Sequence, residues 1–172
     1  MNRRAAMGTL VAGAAVTAPL LKGADAEIDN WAAWWERSKT FVLKVAEAMP
    51  EAEYTYKPFP QARSFGEEMQ HLAQAEGFYL GRFGKGAAPA APRGDTTKAT
   101  TIAYLTQMMN WSIGTVKQLT AADLTKPFGG GKGPAMTGLD LLLNAMVHTA
   151  HTRGYAEMYL REKGIVPPTY AV

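Results

Sequence analysis

The sequence predicts an all-α protein, a four-helix bundle of up-and-down style, from three observations. Four segments of helical length carry apolar residues at helical spacing, the stretches between them are rich in Gly and Pro, and no stretch shows the apolar–polar alternation of a half-buried strand. The first helix is expected from about Ile28 to Met49, where Trp31, Trp34, Trp35, Phe41, Val42 and Val45 share a face and Pro50 stops the run. Ser64 and Glu67 form a capping box, so the second helix begins there and continues to about Phe83. A Gly-, Ala- and Pro-rich loop then leads to a third helix from about Thr97 to Leu119, striped by Ile102, Leu105, Met109, Ile113 and Val116. Thr137 and Asp140 approximate another capping box. The fourth helix runs from there to Lys163, with Gly164 as the stop and Pro167 preventing resumption. The glycine-rich stretch from Phe128 to Gly138 looks like a phosphate loop only superficially, because Lys132 is followed by Gly133 and no strand precedes it. It is expected to be a flexible connection.

Residues 1–26 read as a signal peptide rather than as fold. Arg3 and Arg4 supply a positive start, Ala5 to Leu21 is apolar and small, and Ala24-Asp25-Ala26 is a peptidase site with cleavage before Glu27. The adjacent arginines admit twin-arginine export, with the Sec route still open. Residues 27–172 would then form the mature domain, exported to the periplasm or beyond, with no membrane span. Removing the leader takes the basic residues from 18 to 15 and the acidic residues from 15 to 14, which turns net +3 into +1. No Lys/Arg block remains to mark a nucleic-acid footprint. The chain has no cysteine, so the mature domain depends on a packed core, which 146 residues can supply.

Candidate site chemistry rests on the chain's three histidines, His71, His148 and His151, which are nearly its whole stock of good transition-metal ligands. His71 lies midway along the second helix. His148 belongs to a stripe of the fourth with Leu141, Ala145, Thr152, Tyr155 and Tyr159. His151 is turned about 60° away from His148, at ~100° per residue. If the second and fourth helices face one another, His71 and His148 converge inside the bundle. Each histidine alone can equally be a hydrogen-bonded core or boundary residue. Glu68 and Glu76 are candidate supporting acids or bases, read otherwise as solvated charges on a helix face.

The stretches SFGEEMQHLAQAE (64–76) and RGYAEMYLREKGIVPP (153–168) resemble the DinB/YfiT-like metalloenzyme family. That family has a helix-two His behind a Ser/Thr-Phe-Gly start, and an Arg-Gly, Tyr-Leu-Arg and Gly-x-x-Pro-Pro ending. The resemblance implies a four-helix bundle, frequent dimerisation, and a divalent metal, zinc or nickel, held by three histidines. Carried over by position, two of these are His71 and His148. The third position is Thr152, and His151 beside it is the substitute. Two functional classes follow: a metal-dependent hydrolase or transferase, or a non-catalytic bundle that binds a small molecule or metal. A homodimer is expected, its interface drawn from Trp31, Trp34 and Trp35.

Overall fold

The computed structural model describes residues 17–129 and 135–170, so the Arg3-Arg4 start of the expected leader and Lys132 in the glycine-rich stretch lie outside the described residues. Four long helices make the bundle: α1 (Thr17–Ala48), α2 (Phe65–Leu80), α3 (Lys98–Val116) and, after a short α4 (Ala121–Thr125), α5 (Gly138–Glu162). Between α4 and α5 a minimal antiparallel hairpin pairs β1 (Pro127–Phe128) with β2 (Met136–Thr137). The sequence reading had neither α4 nor this hairpin. A five-residue helix and two-residue strands are too short to leave a periodic signal.

Helix ends follow local chemistry. Ser64 Oγ accepts from the Glu67 amide while Glu67 Oε2 accepts from the Ser64 amide at 2.6 Å, the reciprocal box the sequence predicts. Thr137 and Asp140 do the same for α5, and Thr120 and Asp123 for α4. At the end of α5, Gly164 takes a left-handed φ of 72°. Its amide donates to Arg161 O and the Ile165 amide to Leu160 O, a Schellman stop sealed by Ile165 packing on the core.

Going round the bundle, α1 packs on α3, α3 on α2 and α2 on α5, with α5 closing more lightly on α1. Lys39 bonds Asn110, and Lys98 reaches the carbonyls of Glu47 and Met49, so α1 and α3 are antiparallel. Gln70 donates to Thr101, and Gly77 lies against Met108, so α2 and α3 run parallel. The helices therefore run up, down, down, up, and segment 84–97 is a crossover that returns along the bundle, a variation such bundles tolerate. Gly66 makes this crossover possible, because a Cβ there would collide with the Thr96 carbonyl.

The interior falls into two apolar clusters. One gathers Val42, Val45, Met49, Tyr54, Phe65, Met69, Leu72, Leu105 and Leu160. The other gathers Ile28, Trp35, Leu80, Met109, Ile113, Leu141 and Leu142. At the level between them the buried side chains are polar: Glu76, Ser112, Thr149 and Thr152.

Candidate functional site

α2 and α5 bring two of the three histidines together. His71 and His148 are half-buried, their ring centroids 5.0 Å apart and their planes crossed at 71°. Burial lowers the pKa of both. The Arg63 charge lowers His71 further while Glu68 opposes it, and mutual repulsion with His71 and His151 adds to the effect on His148. Both imidazoles are therefore biased toward the neutral form that can donate a lone pair. Thr152 is buried one turn beyond His148, with Oγ1 3.4 Å from His148 Nδ1, a long contact whose donor depends on the tautomer.

His151 stands apart. It is exposed, and its ring lies 4.6 Å from that of Tyr155 on the outer face of α5. Tyr155, expected on the inward stripe, is 53% exposed, and the fully buried Ala156 takes the inward place. A stripe stepped by alternating fours and threes averages 3.5 residues and drifts away from the 3.6-residue helix along a straight α5.

A cleft of about 250 Å³ opens at the pair, walled by Gln74, Ala75, Phe78 and Tyr79, with the Tyr79 ring centroid 6.2 Å from that of His148. On the other side of His71 a polar depression of about 500 Å³ is bordered by Lys57, Arg63, Glu67 and Gln70. Arg63 Nη1 holds Glu68 at 3.2 Å, and the Arg63 carbonyl accepts from Tyr159 Oη at 2.9 Å, which pins the segment before α2 to α5.

Neither candidate acid is a solvated helix-face charge. Glu68 is buried against Arg63. Glu76 is 1% exposed and lines neither cleft at the histidines. Its carboxyl accepts from Trp35 Nε1 at 2.8 Å and from Thr149 Oγ1 at 2.6 Å. Burial pushes its pKa up, against the pull of those donors and of nearby Ser112, whose hydroxyl does not reach hydrogen-bond geometry. The sequence carried a signal for this. Glu76 continues the register of Met69, Leu72, Ala73 and Leu80, so an inward carboxyl and an inward Trp35 were both readable.

A family model described as the DinB superfamily matches residues 34–156, a span that includes all three histidines. The chain belongs to the DinB superfamily. A DinB-like protein from Bacillus subtilis of solved structure superposes with a TM-score of 0.69 at 21% identity, covering 82% of this chain and 96% of that one. A DinB-like protein from Bacillus cereus gives 0.71 at 17% identity, covering 83% and 97%. At such identities the likeness carries the fold. No curated protein matches the sequence.

A three-histidine centre does not fit the donors present. Among the described residues no three His, Cys, Asp or Glu side chains converge on one point, and the corner next to His148 is a threonine hydroxyl. Two neutral imidazoles and a hydroxyl leave a divalent cation short of the three strong protein ligands of a catalytic zinc site.

Proposed function

We propose that this DinB-superfamily member is a binding protein, in which the cleft beside His71 and His148 holds a small molecule and the imidazole pair retains zinc or nickel only weakly. The observation that carries the reading is the hydroxyl of Thr152 standing 3.4 Å from His148 Nδ1, where a third imidazole would complete a metal centre. The cleft is partly apolar, with Phe78 and Tyr79 as walls, and the two neutral rings supply a few directional polar contacts, the usual composition of a ligand site. Elemental analysis of the mature protein, purified without a polyhistidine tag, tests it. Well under one equivalent of metal is expected. One full equivalent that survives dialysis would overturn the reading and restore the metal-dependent hydrolase or transferase.

Export and self-association belong to the same proposal. Glu27 is exposed and Ile28 is the first buried side chain described, so cleavage before Glu27 would leave every described core residue on the mature side. N-terminal sequencing of periplasmic protein should begin at or near Glu27, and recovery of the protein only from the cytoplasm, with Met1 intact, would refute export. For a homodimer, the face favoured by exposure differs from the tryptophan segment. Trp35 is wholly inside, whereas Leu143, Val147, Tyr155 and Met158 form an outward stripe on α5, with Phe78 beside it on α2. Light scattering should return about twice the monomer mass, and Val147→Glu should return the monomer.

A further inference from the structure

A second cavity lies between α1 and α5, away from the histidines. It has a volume of about 130 Å³, and its walls are Trp34, Phe41, Met146 and Tyr170, the last reaching back from the tail after α5. A cavity of roughly 150 Å³ in another protein holds benzene, so the space suits one small ring. Unlike that dry hydrocarbon cavity, this one contains guanidinium charge. Arg153 is largely buried, its Cζ 5.7 Å from the Phe41 ring centroid and 4.9 Å from that of Tyr170. Arg37 stacks over Trp34 at 4.8 Å at the same cavity.

The neighbouring carboxylate pairs with this charge without satisfying its donors. Glu157 Oε1 is 3.3 Å from Arg153 Nε, yet that buried N–H lacks a hydrogen-bond partner, because the oxygen lies out of line. The other oxygen of Glu157 faces Arg161 at 3.8 Å, so one carboxylate serves two guanidiniums. Arg37 has no ion-pair partner among the described residues. A cationic group enclosed by aromatic faces, with donor capacity left over, is complementary to a planar carboxylate carried on a small apolar body.

We propose that the Trp34–Phe41–Arg153–Tyr170 cavity is a binding site for a small aromatic monocarboxylate, its ring held among the aromatic walls and its carboxylate by Arg153, with Arg37 at the same cavity. The site is independent of the histidine corner. Calorimetric titration with sodium benzoate, and with benzyl alcohol as the neutral analogue, tests it on the wild type and three variants. Benzoate should bind at least tenfold more tightly than benzyl alcohol. Arg153→Gln should erase that preference. Ala150→Leu, which fills the cavity from the outer side of α5, should remove binding of both probes while the thermal midpoint stays near wild type. Thr152→His should leave benzoate affinity within twofold. Equal binding of the two probes, no benzoate binding, or unchanged benzoate affinity in both Arg153→Gln and Ala150→Leu would overturn the assignment.

Discussion

Two polar clusters sit on the same pair of helices, little more than one turn apart, and have opposite characters. At Glu76 every carboxyl oxygen has a partner, and the group is closed inside the bundle. At His71 and His148 the rings are half-open and face a cleft, and His148 alone makes one long contact with Thr152. A buried polar network is stabilising only when its members are satisfied, so the acid belongs to the architecture. A pair with unused donor capacity beside a cleft belongs to recognition. The comparison teaches that burial and satisfaction together, rather than residue type, separate the two roles.

Removing the Glu76 carboxyl should have the largest effect. Glu76→Leu strands the Trp35 indole N–H and the Thr149 hydroxyl in the core, at a cost on the order of 3 kcal/mol. For a domain of this size that lowers the thermal midpoint by roughly 6–12 °C. Glu76→Gln should remain close to wild type, since an amide oxygen can accept from Trp35 while the Thr149 hydroxyl turns to accept from the amide. A Leu variant as stable as the Gln variant would place the acid with the histidines instead.

Acid and base titrations should pull stability in opposite directions. The folded protein holds the Glu76 proton more tightly than the unfolded chain does, so this contribution is full below the ordinary value of 4.5 and fades as pH rises through the folded value. Its slope approaches about 1.4 kcal/mol per pH unit. His71 and His148 have lowered values, so their contribution is full above the ordinary 6.5 and is lost as pH falls through the folded values. Urea denaturation across pH should show both losses in wild type. Glu76→Gln should lose the first and keep the second.

Thr152→His supplies the missing imidazole one turn from His148 and should raise zinc or nickel affinity at least about tenfold, equivalent to ~1.4 kcal/mol. The smallest effect is expected from His151→Ala. Outside the corner and exposed, it should change metal affinity by less than about twofold and stability by no more than about 0.5 kcal/mol. If that variant instead abolishes metal binding, α5 presents a different face to the metal from the one described.

Much of this architecture was legible because it is written locally. The Ser64–Glu67 and Thr137–Asp140 boxes, the Gly164 stop and the Leu105, Met109, Ile113, Val116 stripe are each decided within a few turns of chain. The parallel course of α2 and α3 was not legible, because helix direction depends on where the 84–97 crossover lands, and that is set by the Gly66–Thr96 approach and the Gln70 bonds to Asp95 and Thr101. At the site, the meeting of His71 with His148 followed from the facing of two helices. The sealing of Glu76 depended on Trp35 and Thr149, 41 and 73 residues away in sequence. Pairings at such separations leave no mark in local periodicity.

The indole that donates to Glu76 is also an optical instrument. Trp35 is fully enclosed, fixed at its nitrogen, and tilted against Trp31 with ring centroids 6.1 Å apart. A chromophore held so rigidly in an asymmetric setting contributes to near-ultraviolet circular dichroism, a signal that vanishes when side-chain packing loosens even while the helices persist. Loss of that band ahead of the far-ultraviolet helix signal would therefore report slackening of the layer between the two apolar clusters before the bundle itself comes apart.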